Sequence, residues 1–131
     1  MRLGSFEASF SFGLLVIADP ASTDSHGDWD PSLEMVHASI DSIYVSVRDT
    51  ASGLVSVACV DEDEIADSGG QGALIFSGDL TLQNRQIRFS DPNEMISMTI
   101  PVKNVGSHVE IYADDVDEPA ALVVAVSAAK S

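Results

Sequence analysis

Basic side chains are scarce in this sequence of 131 residues, which has 6 Lys and Arg against 21 Asp and Glu and a formal net charge of −15. Direct binding to nucleic acid requires clustered Lys and Arg that replace the counterions of the phosphates. The negative field of the chain also repels anionic membranes, whereas it speeds encounters with cations and basic proteins. We therefore expect a basic protein as the partner, and neither nucleic acid nor a membrane.

Cysteine occurs once, at Cys59, so the chain can form neither an internal disulfide nor a cysteine zinc cluster. The apolar run Val57-Ala58-Cys59-Val60 predicts a small core residue rather than a nucleophile. Long hydrophobic runs are missing too, because none approaches the roughly 20 residues of a membrane-spanning helix. The first residues lack the basic start and unbroken apolar segment of a signal peptide. These features predict a cytoplasmic protein.

Motifs of catalysis and cofactor binding are also missing. The sequence contains no G-x-S-x-G elbow, no H-E-x-x-H pair and no phosphate loop, since the Gly-rich stretch 69–72 has no following lysine. Serines and aspartates accompany the three histidines His26, His37 and His108, but only geometry identifies a Ser-His-Asp triad. We therefore expect neither an enzyme nor a cofactor.

Alternation of apolar and polar residues is the main pattern along the chain. From Phe6 to Ala18 it predicts a strand. Gly13 marks either a bulge or the point where the strand passes from the edge of a sheet to a position covered on both faces. Further short strands are predicted at 43–48, 54–60, 73–77, 79–83, 86–90, 95–101, 108–113 and 122–126.

These strands predict an all-β fold with little helix. The segments 43–48 and 54–60 are expected to form a hairpin, and one short helix is expected near 31–38, capped by Asp30 and started by Pro31. About seven to nine short strands separated by turns indicate an antiparallel β-sandwich, with a closed barrel as the alternative. The length predicts a single domain over 1–131.

Acidic residues are concentrated in two predicted loops, and they are the candidate partner-binding residues. Charge runs usually belong to solvated loops, but clustered acids also steer a basic partner and pair with its Lys and Arg. The sequence leaves open whether the two loops lie at one end of the sandwich. The candidates are Asp61, Glu62, Asp63, Glu64 and Asp67 in the first loop and Asp114, Asp115, Asp117 and Glu118 in the second.

Trp29 is the only tryptophan and lies between two acids before the predicted helix. It is expected to anchor that helix on the sheet through its apolar ring. Tryptophan is also frequent among binding hot spots, so Trp29 joins the candidate partner-binding residues.

Calcium binding is an alternative that the same carboxylates leave open, because Ca²⁺ takes six to eight oxygen ligands and loops of β-sandwiches often supply them. The stretch from Asp24 to Asp30 alternates possible ligands, but it does not complete the spacing of a calcium loop. A calcium module would melt at a higher temperature with millimolar Ca²⁺. A self-associating structural subunit, whose exposed strands pair between chains, is the other alternative.

The order of features at the start of the chain resembles the competence protein J family. The resemblance lies in the alternating first strand, the acidic polar loop, the pair Asp28-Trp29, the short helix from Pro31 and the strand at 43–47. Members of that family are small acidic bacterial proteins that bind and inhibit a partner nuclease.

The resemblance implies an inhibitor that presents carboxylates to the phosphate-binding groove of a nuclease, as immunity proteins against nuclease toxins also do. Charge and resemblance together lead us to expect an acidic binding protein that inhibits a nuclease or toxin.

Overall fold

A computed structural model describes residues 2–10, 13–20, 22, 36–47, 53–61, 72–91, 97–114 and 119–128. These parts of the chain form ten strands and no helix, so none of them could cross a membrane as a helix. The strands are β1 (Arg2–Ala8), β2 (Leu14–Ala18), β3 (Val36–Ala38), β4 (Ser42–Ser46), β5 (Val55–Asp61), β6 (Ala73–Thr81), β7 (Gln86–Ser90), β8 (Ser97–Pro101), β9 (Gly106–Ala113) and β10 (Ala121–Ala128).

The ten strands form two five-stranded sheets that enclose one core. Sheet A has the order β1-β5-β10-β9-β6, and sheet B has the order β3-β4-β2-β7-β8. Neighbouring strands are antiparallel except β5 and β10, which run parallel. The predicted all-β antiparallel sandwich is confirmed, and the parallel pair β5–β10 is its one departure among the described strands.

The segment predicted as a strand from Phe6 to Ala18 contains two strands in different sheets, β1 in sheet A and β2 in sheet B. The chain turns between them at Gly13, whose φ of 61° lies in the left-handed region that glycine adopts without steric penalty. The backbone N–H of Gly13 donates to the carbonyl of Phe10 at 3.0 Å. At Gly13, where a bulge or a passage of the strand is expected, the chain therefore crosses from sheet A to sheet B.

The predicted hairpin of 43–48 and 54–60 is wrong. Strand β4 pairs with β2 and β3 in sheet B, whereas β5 pairs with β1 and β10 in sheet A. Both strands turn an apolar side to the same core, and an alternating pattern is the same whether two strands lie side by side or face each other. The pattern therefore identified the strands without assigning their partners.

The predicted helix near 31–38 is wrong at its end, because residues 36–38 form the edge strand β3. Their partners are Val45, Tyr44 and Ile43 of β4. Pairing with β4 satisfies the backbone groups that face this strand, and such tertiary context overrides local helical spacing. Residues 31–35 and the capping Asp30 lie outside the described residues.

The core consists of the inward side chains of both sheets. Phe6 of sheet A meets Phe89 of sheet B edge to face, with ring centroids 6.5 Å apart. Cys59 is fully buried, and this burial raises the pKa of its thiol to about 12. Other fully buried core residues are Phe10, Leu15, Ile17, Ile43, Val45, Leu82, Ile87, Ile111 and Val124.

Truncation of Phe89 to alanine should lower the free energy of unfolding by about 3–5 kcal/mol, because it leaves a cavity between the sheets. Urea unfolding followed by circular dichroism measures this loss. Thr99→Ala, on the exposed side of sheet B, is the matched control and should change stability by less than about 0.5 kcal/mol.

The buried thiol predicts a specific pH dependence of stability. In the unfolded chain Cys59 ionises near its ordinary value of 9.0, whereas the folded protein keeps the proton up to about 12. Between these pH values the folded state thus binds more protons than the unfolded state. The resulting contribution to the free energy of unfolding is complete below about pH 9 and is lost as pH rises towards 12. The difference in urea stability between the protein and Cys59→Ala should shrink over that interval. A stability difference between the two proteins that stays constant over this interval would contradict the raised pKa of Cys59.

Candidate partner-binding surface

Two of the ten residues predicted to bind a partner lie in the described parts of the chain, and they are Asp61 and Asp114. Asp61 is the last residue of β5, and Asp114 follows β9 directly. The other candidates lie outside the described residues, and they are Trp29, Glu62, Asp63, Glu64, Asp67, Asp115, Asp117 and Glu118.

Asp61 and Asp114 lie at opposite ends of sheet A. Asp61 is level with Val126 of β10, whereas Asp114 accepts hydrogen bonds at Ala121, where β10 begins. The two levels are separated by five residues of a strand, or about 17 Å. The points where the two acidic loops leave sheet A are therefore far apart.

The end of the first loop nevertheless meets the start of the second. A side-chain carbon built on Gly72 would lie 2.4 Å from the carbonyl oxygen of Ala113 and 3.4 Å from the backbone nitrogen of Asp114. With its φ of +89°, this position requires glycine. The structure thus brings Gly72 and Asp114 together at one corner of sheet A.

The carboxylate of Asp114 has a structural role. Its Oδ1 accepts hydrogen bonds from the backbone N–H groups of Ala120 and Ala121, both at 3.0 Å. The backbone N–H of Asp114 donates to the carbonyl of Ala121 at 3.1 Å. These bonds hold the point where the chain enters β10.

Asp61 lines a cleft at the other end of the sandwich. The cleft also contains Leu3, Lys103, Ser107 and Ser127. Lys103 is one of the few basic residues in the chain, and it places a positive charge beside this cleft. The surroundings of Asp61 are therefore mixed in charge.

A network of polar side chains connects β6 and β9 on the outer face of sheet A. His108 Nδ1 lies 2.8 Å from Asp79 Oδ1, and His108 Nε2 lies 3.2 Å from Ser77 Oγ. Glu110 Oε2 lies 3.9 Å from His108 Nε2, and the hydroxyl of Tyr112 donates to Glu110 Oε1 at 3.4 Å. We call these five residues the β6–β9 network.

Burial raises the pKa of the Tyr112 hydroxyl, and the adjacent Glu110 raises it further through its charge and the hydrogen bond it accepts. The phenol therefore stays protonated and can donate to Glu110 at neutral pH. The side chains of His108 and Asp79 are 30% and 59% exposed. The network therefore presents both hydrogen-bond donors and hydrogen-bond acceptors at the surface.

Ser77, His108 and Asp79 are connected in the hydrogen-bond order of a catalytic triad. They lie on the open face of a sheet, where the backbone N–H groups lie in the sheet plane and are directed towards neighbouring strands. Such groups do not point at a substrate above Ser77, as the donors of an oxyanion hole must. The geometry thus favours a positioned polar surface over a catalytic centre.

Sequence reasoning missed the β6–β9 network, although one part of it was readable. His108, Glu110 and Tyr112 alternate with buried Val109 and Ile111, which places the three polar residues on one face. Their neighbours Ser77 and Asp79 could not be found in this way, because only the pairing of β6 with β9 brings them alongside.

The rest of the outer face of sheet A adds a further carboxylate. Glu7 of β1 accepts a hydrogen bond from the hydroxyl of Ser56 on β5 at 3.0 Å. Three basic side chains are described, and none of them lies on this face: Arg85 lies in the turn before β7, Arg88 on β7 of sheet B, and Lys103 between β8 and β9. Apart from His108, the acidic and basic side chains described on this face are thus all carboxylates.

Sheet B has a different polar region, built around buried aspartates. Asp19 accepts a hydrogen bond from the backbone N–H of Gln83 at 3.0 Å, and Asp91 is buried nearby in the same cleft as Arg88. Within the described parts of the chain, no group of three His, Cys, Asp or Glu side chains is arranged to hold a metal ion. Asp19 therefore joins the end of β2 to the turn that follows β6.

Comparisons with known proteins identify the fold. No protein-family model matches the chain, and no curated protein matches it in sequence. Among solved structures, ComJ of Bacillus subtilis, an inhibitor of the DNA-degrading activity of NucA, matches with a TM-score of 0.72 over 98% of each chain, at 9% sequence identity. The chain is therefore a β-sandwich with the fold of ComJ, and the predicted resemblance to competence protein J is confirmed at the level of fold.

The bonds of Asp114 predict that its loss destabilises the protein modestly. Asp114→Ala removes the acceptor of two backbone N–H groups that water can partly solvate, so the free energy of unfolding should fall by about 1 kcal/mol. Asp114→Asn keeps a side-chain oxygen as an acceptor, so its free energy of unfolding should fall by less. Urea unfolding compares the two variants, and equal stability of the alanine variant and the unchanged protein would argue against the structural role.

Proposed function

We propose that this protein is an inhibitor that binds a basic nuclease in the cytoplasm and blocks its access to DNA. The observation that carries the proposal is the fold match to ComJ, a nuclease inhibitor, over 98% of both chains. The net charge of −15 supports it independently, because that charge comes from this sequence and owes nothing to the match.

Charge explains how such an inhibitor would act. A nuclease binds the phosphates of DNA through clustered Lys and Arg, and this binding depends on electrostatic attraction. An acidic protein is drawn to the same cationic groove and accelerates its own association through long-range attraction. Occupation of the groove then excludes DNA without any covalent chemistry, so the proposal requires neither an enzyme activity nor a cofactor.

The acidic loops remain part of this proposal as contacts for the partner. Their candidate residues outside the described parts of the chain add to the negative field whatever their positions. The first loop leaves sheet A at Asp61, about 17 Å along the sheet from Asp114, and ends at Gly72 beside Asp114, so we propose that the loops contribute to the field from both ends of the sheet.

The proposal predicts stoichiometric inhibition of a basic DNA-degrading enzyme from the source cell. Proteins of that cell retained on a cation-exchange column provide the nuclease, and cleavage of linear double-stranded DNA provides the readout. Added protein should abolish cleavage at low salt, and the inhibition should weaken as salt rises, because exposed charges are screened beyond about 8 Å at physiological ionic strength.

A heat-unfolded sample of the protein is the control for nonspecific charge, since it carries the same acidic residues. The proposal fails if no DNA-degrading fraction is inhibited by a large molar excess of the folded protein, or if the unfolded chain inhibits equally well.

A further inference from the structure

We infer that the outer face of sheet A at β6 and β9 is the surface that docks the basic partner. This inference rests on the proposed function and assigns it to a place on the molecule. The surface consists of the β6–β9 network together with Leu74 of β6, which lies opposite Tyr112 in the strand register.

The first argument is charge complementarity. Asp79 and Glu110 are ionisable acids on this surface, and none of the three described basic side chains lies on the outer face of sheet A. The outer face of sheet B, by contrast, carries Arg88, which donates to Ser97 Oγ at 3.1 Å. Of the two faces, the outer face of sheet A therefore offers the better complement to a cationic groove.

The second argument is the fixed geometry of the acids. His108 holds Asp79 at 2.8 Å, and Tyr112 donates to Glu110 at 3.4 Å, so both carboxylates have a partner on a rigid strand pair. Side chains that are ordered before binding lose less rotamer freedom when a partner arrives. These acids are thus better prepared for pairing than acids on unconstrained side chains.

The third argument is the apolar contact beside the acids. Four large hydrophobic residues are exposed in the described parts of the chain, and Leu74, 51% exposed, is the one of these four that lies in a strand. It adjoins Tyr112, and tyrosine is enriched among the residues that dominate binding energy. An apolar centre next to charged groups is the composition of a protein interface.

A second copy of this chain does not suit the surface. Two copies meeting through it would place Asp79 and Glu110 opposite the same carboxylates of the other copy. Like charges brought together in an interface oppose association. The occupant that fits is a protein with Lys and Arg around an apolar patch, which is the chemistry expected of a nuclease groove flanked by a contact surface.

The experiment measures inhibition of the cation-exchange-retained nuclease by variants of the full chain. Glu110→Lys should raise the concentration needed for half inhibition by at least about tenfold. Tyr112→Ala should raise it by a similar factor with the salt dependence preserved. Glu110→Gln, which keeps the shape and removes the charge, should produce a smaller rise and flatten the salt dependence.

Two matched controls separate this surface from the rest of the charge. Glu62→Lys in the first acidic loop and the double variant Gln86→Lys with Thr99→Lys on sheet B each change the net charge by the same two units as Glu110→Lys. The sheet B double variant should keep inhibition within about threefold of the unchanged protein, whereas Glu62→Lys measures how much the first acidic loop contributes. Circular dichroism and melting temperature confirm that each variant is folded.

Each result decides the inference. A loss in the Glu110 and Tyr112 variants that exceeds the loss in Glu62→Lys and in the sheet B double variant supports it. If the unchanged protein inhibits and the Glu110 variants inhibit equally well, the surface is wrong while the proposed function stands. The surface is also wrong if all three charge-matched variants lose inhibition equally, because binding then follows net charge. It is wrong too if only Glu62→Lys loses inhibition, because binding then depends on the first acidic loop. If the unchanged protein inhibits no nuclease, the proposed function and this inference fail together.

Discussion

Burial of the inner faces of two sheets against each other is the constraint on which the rest of the structure depends. Phe6 and Phe89 meet across that interface, and buried side chains such as Val124 of sheet A and Ile87 of sheet B fill it from both sides. Because side chains alternate along a strand, every residue that enters the core leaves its neighbours on an outer face. A chain with few basic residues thereby acquires an acidic outer face on sheet A.

The described acids serve two distinct purposes. Asp114 and Asp19 bind backbone N–H groups where loops meet strands, so their charge stabilises the connections between strands. Asp79 and Glu110 instead lie beside other side chains on the outer face of sheet A. The first group explains how so acidic a chain keeps its loops in place, and the second is available for a partner, which is why we assign docking to it.

The simple pattern of buried strands also explains how one fold persists at 9% identity. The sandwich requires only that apolar residues alternate in the right strands, which many sequences satisfy. The outer faces are free of that requirement, so charge and aromatic residues can be placed there to suit a particular partner. A shared fold and a different outer surface are compatible for this reason.

The strands, the burial of Cys59 and the acidic character could be predicted from the sequence, because they depend on local alternation and on composition. The change of sheet at Gly13, the separation of β4 from β5, the strand at Val36–Ala38 and the meeting of Asp79 with His108 could not. Each of these depends on which strands become neighbours, and neighbours are chosen by the burial of all the strands together. The sequence by itself determined the class of fold and the sign of the surface, whereas only the tertiary structure decided where on that surface the acids are held, because backbone pairing joins residues that are distant in the chain.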